Sequence, residues 1–397
     1  MSDLIEVWVY PTRSCNFKCT YCYEHHDTSY MSADTAVRTV DWAFAQASRA
    51  SARGVALSFF GGEPLLNFRS FQQVVLHAQE VAKASGKAVT YRMNTNGSLI
   101  DDEVADFLVE HRVGLDFSLD GDQQTNDTAR LTRSGASAYE AAGGIEKVVR
   151  LHARGLDVGV NMVVGPDSVR RLVSNVRFFW EHGVTGLQVL PMFKGGRDWT
   201  EEDLAELDQA FGQIASDIVR GIAETGRFEL LNFAPFSKVI ELMRQAEAAR
   251  DAEALRAHTY CGIGRRNFSV DVNGNLYSCP RFIHDVGIDR TSRDLLIGNI
   301  KTRVYNLTVV NHFKEWNPRS NPKSICYTCP HVLTCVYQCV AENMAWTGDE
   351  YSVAPVVCQI TEIVNKYAAG LRTLYPPAPA PQERAQPAAV ADAGFLA

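Results

Sequence analysis

Ser14-Cys15-Asn16-Phe17-Lys18-Cys19-Thr20-Tyr21-Cys22-Tyr23 follows a short apolar stretch, Leu4 to Tyr10, near the start of the chain. The spacing C-x3-C-x2-C supplies three thiolates to a cubane iron-sulfur cluster and leaves one iron without a protein ligand. An iron with an open position can chelate a small molecule, whereas a structural site fills its coordination from protein. The alternative is a zinc knuckle, but zinc sites favour paired cysteines at gaps of about two to four residues together with a fourth ligand.

Outward from that run, apolar β-rich stretches recur at Leu4 to Tyr10, Val55 to Phe60, Ala88 to Met93, Leu115 to Leu119, Leu156 to Val164 and Val184 to Leu190. Helical patterns lie between them, at Ala33 to Ala52, Phe68 to Ser85, Tyr139 to His152 and Ser168 to His182. Strands alternating with helices imply parallel pairing, so the predicted class is α/β, a partial (β/α)6 TIM-like barrel over residues 1–225. Chemistry in such barrels sits on loops at the C-terminal ends of strands, which is where the cysteine run falls. From Trp199 to Arg256 the pattern is helical, with Leu204, Leu207, Phe211, Ile214, Ile218 and Ile222 forming one packing face. Residues 226–260 read as a helical linker, 261–375 as a small cysteine-rich α+β domain, and the Pro/Ala-rich 376–397 as a disordered tail.

The 397 residues are 46% hydrophobic, enough for a sizeable core, and carry a formal charge of -7 with no basic cluster. Nucleic acid is not an expected partner. No apolar run approaches the ~20 residues of a membrane span, and the N-terminus lacks the basic start and apolar core of a secretory signal. A cytoplasmic location is expected, where thiols stay reduced. Ten cysteines in tight spacings then point to metal.

The opening run closely resembles the cluster loop of radical SAM enzymes. The resemblance implies that a 4Fe-4S cluster holds the amino and carboxylate groups of S-adenosyl-L-methionine and cleaves it to a 5'-deoxyadenosyl radical. Phe60-Gly61-Gly62-Glu63-Pro64 resembles the segment that contacts the methionyl amino group in this family. A carboxylate and exposed backbone acceptors in a glycine turn suit an ammonium. Two further apolar strands end in polar residues, Asn94-Thr95-Asn96-Gly97 and Ser118-Leu119-Asp120-Gly121. By the same resemblance Asn94, Ser118 and Asp120 line the cofactor site. Arg130, in Asn126-Asp127-Thr128-Ala129-Arg130, clamps the cofactor carboxylate with its planar fork. Tyr21 and Leu190 match positions that flank adenine. Capping or turn formation is the alternative for Asn94, Ser118 and Asp120, and a plain ion pair for Arg130.

A second field contains Cys261, Cys279, Cys326, Cys329, Cys335, Cys339 and Cys358, spaced C-x12-G-x4-C, then C-x2-C-x5-C-x3-C, then a last cysteine. Asn273-Gly274 between Phe268 to Val272 and Asn275 to Ser278 predicts a tight hairpin that brings Cys279 back towards Cys261. The pattern is similar to the SPASM domain of peptide-modifying radical SAM enzymes. That resemblance implies two auxiliary 4Fe-4S clusters, one on Cys261, Cys279 and Cys339 and one on Cys326, Cys329, Cys335 and Cys358, hence three in all. Seven cysteines cannot fill two such clusters, so the first has an open iron or a substituted ligand. Some sulfatase-maturing relatives carry a further cysteine where Asn267 stands, and a catalytic aspartate where Pro280 follows Cys279. A pair of zinc sites is the alternative for this field.

The expected function is therefore a radical SAM oxidoreductase that oxidatively modifies, by crosslinking, a ribosomally synthesised precursor peptide, with flavodoxin or ferredoxin as reductant. With the first strand starting by residue 4, leader recognition is expected to use the barrel face, the cysteine-rich region or a separate leader-binding protein. The alternatives are radical oxidation, epimerisation or decarboxylation of a small molecule, or an iron-sulfur or zinc binding module. Glu24, His25, His26, Tyr260, His284 and Asp285 are acid-base candidates by position, and none is assigned a catalytic role.

Overall fold

The computed structural model describes residues 4–192, 196–248, 261–283 and 294–375. Six parallel strands lie in chain order across one sheet: β1 (Leu4–Val9), β2 (Gly54–Phe59), β3 (Ala88–Thr95), β4 (Val113–Ser118), β5 (Val158–Val164) and β6 (Leu187–Pro191). The helices between them are α1 (Ala33–Arg49), α2 (Phe68–Ser85), α3 (Asp102–Glu110), α4 (Gln123–Ala129), α5 (Ala138–Ala142), α6 (Gly144–Ala153) and α7 (Leu172–Glu181). This is the expected α/β partial barrel.

Alternation along the strands separates two faces. Ile5, Val7 and Val9 of β1, Val55, Leu57 and Phe59 of β2, and Leu115 and Phe117 of β4 are buried under the helices. Phe59, for example, meets Phe71 of α2 edge-on at 4.6 Å. The opposite face carries Glu6, Ser58, Arg92, Asn94, Asp116, Ser118, Asn161 and Gln188, a polar lumen. On this face Arg92 donates to Asp116 at 2.9 Å and to Asp157 at 2.9 Å.

Three helical expectations are subdivided. The pattern from Tyr139 to His152 is two helices, because Gly143 takes φ +80 and donates to the Glu140 carbonyl, ending α5. The segment 168–182 opens with a 3-10 turn, Val169–Arg171, before α7. The region after Trp199 is α8 (Glu201–Thr225), started by a Thr200/Asp203 capping box, then a 3-10 turn Phe228–Asn232 and α9 (Ala234–Ala248). The rest of the expected linker, and the tail 376–397, lie outside the described residues.

The cysteine-rich region continues the same sheet. β7 (Asn267–Val270) runs parallel to the free edge of β1, with Glu6 opposite Asn267 and Val9 opposite Val270. β8 (Asn275–Tyr277) and β9 (Leu296–Asn299) follow antiparallel, giving a nine-stranded order β6-β5-β4-β3-β2-β1-β7-β8-β9. Gly274 has the expected positive φ, +86, but Asn273 does not share it. The turn is instead wider, Asp271 to Gly274, closed by the Gly274 N–H on the Asp271 carbonyl at 3.0 Å. The Asp271 carboxylate accepts from the N–H groups of Asn273 and Asn275 at 2.8 and 2.9 Å, which sets this geometry.

Three further helices complete the described chain: α10 (Leu307–Glu315), α11 (Val340–Thr347) and α12 (Pro355–Leu371), the last packed on α8 and α9. The junction of β7 with the barrel is sealed by Phe268, whose ring lies edge-on to Trp42 of α1 at 5.4 Å. Phe268→Ala is expected to cost about 3 to 5 kcal/mol. Anaerobic urea unfolding measures it, and a loss within about 0.5 kcal/mol of zero would show that this seam carries no weight.

Candidate active site

The cysteine loop leaves the C-terminal end of β1 and is tied down along its length. Gly62 and Glu63 donate their N–H groups to the carbonyls of Thr12 and Ser14, at 3.3 and 2.9 Å. Lys18 and Thr20 donate to Leu131 and Ala129, at 2.6 and 2.8 Å, and Arg133 Nε donates to the Cys15 carbonyl at 2.6 Å. Asn16 is held by its amide N–H on Ser98 Oγ at 2.8 Å and by its carbonyl oxygen, which accepts from Asn96 at 2.9 Å. The glycine turn has a local reason. Gly61 sits at φ +113, and a Cβ on Gly62 would overlap the Ser14 carbonyl, so the close approach is to the chain's own cluster loop.

Cys15, Cys19 and Cys22 come together at this end of the barrel. Burial pushes the Cys15 thiol up to about 12, and Glu63, Cys19 and Cys22 add to the rise. Cys19 is raised by burial against the pull of Arg130. Thiols raised by burial, with Cys15 raised further by Cys19 and Cys22 and Cys22 by Cys19, are costly to ionise without a cation among them, so this donor set fits a thiolate-bound metal cluster.

Around the loop, Glu63 is fully buried. It accepts from Thr95 Oγ1 at 2.8 Å, Asn96 N–H at 2.8 Å and Leu65 N–H at 3.2 Å. Burial outweighs these bonds and lifts its pKa to about 7. Pro64 opens the following 3-10 turn. Tyr21 reaches from the cysteine loop to Asp120 at the end of β4, donating to Oδ2 at 2.6 Å. Arg130 donates to Asp120 Oδ1 at 2.9 Å and lies over the Tyr21 ring at 5.5 Å. Asn94 accepts from Asn161 Nδ2 at 2.6 Å, and Ser118 stands opposite Asn161 in the β4–β5 register. Leu190 on β6 is exposed. Two buried polar atoms at this mouth, Arg130 Nε and Asn161 Oδ1, have no partner among the described residues. A donor and an acceptor left open there suit a polar ligand.

The other seven cysteines form two groups. Cys279 is raised by burial and then by Cys339 and Cys261. Cys358 is pushed to about 11 by burial, then by Cys326, Cys335 and Cys329. The first group joins Cys261, the end of the β8 hairpin arm and the N-cap of α11. The second joins the 326–335 loop to α12, where Cys335 Sγ is 3.5 Å from Thr361 Oγ1. Asn267 donates to the Cys261 carbonyl at 3.4 Å, and its buried Oδ1 has no partner among the described residues.

Residues 9–178 match the family model described as the radical SAM superfamily. This stretch of the chain is a radical SAM domain. The chain is 27% identical over 276 residues to the serine-type anaerobic sulfatase-maturating enzyme of Klebsiella aerogenes, a match spanning 68% of this chain and 65% of that enzyme. The fold is like that of anSMEcpe with bound AdoMet, at TM-score 0.73 and 18% identity over 94% of this chain and 96% of the other. It is also like that of Streptococcus suis SuiB bound to precursor peptide SuiA, at TM-score 0.61 and 16% identity over 90% and 76%. A domain of this kind implies a 4Fe-4S cluster and S-adenosylmethionine.

Several residues of this radical SAM site escaped sequence reading. Asn16 and Asn96 sit inside quoted motifs, but their mutual bond is a product of the fold. Tyr10 donates to Glu24 at 3.1 Å and reaches the Pro280 carbonyl at 3.3 Å, across the seam between barrel and hairpin. Among the acid-base candidates, Glu24 is buried on Tyr10, His26 Nε2 lies 3.5 Å from Cys22 Sγ, and His25 is exposed. Tyr260, His284 and Asp285 lie outside the described residues.

Gly62→Ala is expected to displace the cysteine loop and remove about four irons per chain after anaerobic reconstitution. Iron analysis reads this, and wild-type iron content would mean the loop tolerates a methyl group there. Glu63 gives a pH signature. Its folded pKa of about 7 lies above the ordinary 4.5, so the folded state binds the proton more tightly and stability falls as pH rises through that window. The loss is about 3 kcal/mol. Urea unfolding of apoprotein at pH 5 and pH 8 should show a smaller difference for Glu63→Gln than for wild type, and equal differences would refute it.

Proposed function

We propose that this enzyme cleaves S-adenosylmethionine at a cluster on Cys15, Cys19 and Cys22 and uses the radical to oxidatively modify, by crosslinking, a ribosomally made peptide. What supports this reading is the way the thiols influence one another, Cys15 with Cys19 and Cys22, Cys279 with Cys339 and Cys261, and Cys358 with Cys326, Cys335 and Cys329. Three 4Fe-4S clusters, one of radical type and two auxiliary, match those groups. Residues 1–225, 226–260 and 261–375 then serve as radical domain, linker and auxiliary domain.

When bound, these groups supply an electron, a 5'-deoxyadenosyl radical and an acceptor for electrons leaving the substrate. The chain's own residues do the positioning. The Gly61-Gly62-Glu63-Pro64 turn fixes the cluster loop and offers a buried carboxylate, which a cofactor ammonium beside it would keep ionised. Arg130 keeps Nε open for a cofactor carboxylate while Asp120 and Tyr21 hold its guanidinium still. Tyr21 and Leu190 border the adenine, and Asn94 and Ser118 line the polar lumen. Such confinement brings a reactive carbon to one chosen C–H bond and keeps water away.

A peptide substrate is supported by two structural neighbours: SuiB is bound to a precursor peptide, and anSMEcpe is also seen with the Cp18Cys peptide. Sulfatase maturation is disfavoured, because Pro280, which follows Cys279, has no acid-base function. A flavodoxin or ferredoxin as reductant, a separate leader-binding protein and a cytoplasmic setting that keeps the thiols reduced complete the proposal. No helix among the described residues is long and apolar enough to cross a membrane.

Anaerobic reconstitution of wild type and the Cys15/Cys19/Cys22→Ala variant tests the reading. Iron should fall from about twelve to about eight per chain, and 5'-deoxyadenosine formation should vanish. Zinc in place of iron, or about four irons in the variant, would overturn the three-cluster assignment.

A further inference from the structure

Arg281 links the two ends of the site. It lies two residues after Cys279, in the 3-10 turn Pro280–Phe282. One of its guanidinium nitrogens pairs with Glu342 of α11, three residues after Cys339. Its cation stands over the ring of Tyr23, the residue directly after Cys22, at 4.7 Å to the centroid. The Tyr23 ring in turn stacks on Phe60, which leads into the Gly61-Gly62 turn, at 6.3 Å. A single positive charge thus touches the elements that carry Cys22, Cys279 and Cys339. Burial works against that charge, and Tyr23, Cys339, Cys279 and Tyr10 together outweigh it. The counter-charge is incomplete: Glu342 Oε2 is buried and has no partner among the described residues.

We infer that Arg281 is a positioning and redox-tuning residue, whose guanidinium raises the reduction potential of the cluster held by Cys261, Cys279 and Cys339 and fixes that cluster against the radical-site loop. The inference rests on the auxiliary-cluster reading above. Adding one electron to such a cluster adds one negative charge. A fixed cation beside the cluster ligands favours that state, and a buried carboxylate opposes it. The opposition of Arg281 and Glu342 predicts effects of opposite sign when each is neutralised. It also favours passage of an electron from substrate to this cluster, the step on which net oxidation depends.

The test uses full-length, reconstituted protein with Cys15, Cys19 and Cys22 replaced by alanine, so that only auxiliary clusters remain. EPR-monitored titration with dithionite then gives their one-electron couples. Adding Arg281→Gln should shift one of the two couples to lower potential by a factor of ten or more in the reduced-to-oxidised ratio, which is 59 mV for one electron. Arg281→Lys should restore most of the shift, and Glu342→Gln should move the same couple upward. The Glu342 variant keeps the inference testable if Arg281→Gln loads poorly. Unchanged couples in fully loaded Arg281→Gln, or shifts of equal sign in the two variants, would overturn the role of Arg281. About four irons in the parent lacking the three cysteines would overturn the auxiliary-cluster reading instead.

Discussion

Strand β1 is hydrogen-bonded along both edges, to β2 and to β7, and nearly every part of the site is placed by that double pairing. The cysteine loop leaves its C-terminal end. The glycine turn at the end of β2 lies beside it on one side, and the hairpin that brings Cys279 lies on the other. Parallel pairing in register puts all three chain exits at the same level. Because a strand slipped by one residue would turn Ile5, Val7 and Val9 out of the core, the register is fixed by burial well away from the chemistry.

Much of this could be read from residues close together in the chain. The six barrel strands announce themselves by apolar runs ending in polar residues, and those polar ends are where Glu63, Asn94, Ser118 and Asp120 stand. Gly274 marks its turn through a positive φ that few other residues accept. The missing information is of another kind. Nothing near Asn267 says that it will lie against Glu6, since the pairing joins segments far apart in sequence and depends on an edge left free by the other six strands. Tyr23 and Arg281, or Tyr10 and Pro280, are likewise brought together only by that docking. Gly143, inside an apparently continuous helical pattern, shows the converse limit, because periodicity continues through a break that one backbone angle imposes.

Arg130 and Asp120 show how a binding residue is kept ready. A guanidinium in so buried a place needs a permanent counter-ion, and Asp120 provides it while also accepting from Tyr21 and the Val163 N–H. Such a pair adds little net stability for its desolvation cost, but it holds the planar fork in one orientation before any ligand arrives. The same logic applies to Glu63, whose three donors hold its carboxyl group in one orientation although burial still raises its pKa.

The shared sheet has a consequence for how such proteins can be recombined. A cysteine-rich segment that hangs on a flexible tether can be exchanged between homologues as a cassette, but β7 is a neighbour of β1 and Phe268 is wedged against Trp42. A transplanted auxiliary region would have to bring a strand whose inward side chains fit a foreign first helix, and its host would have to offer an unoccupied sheet margin of matching length. Chimaeras of this architecture should therefore be built with α1, β1 and β7 taken from one parent and with any crossover placed C-terminal to β7.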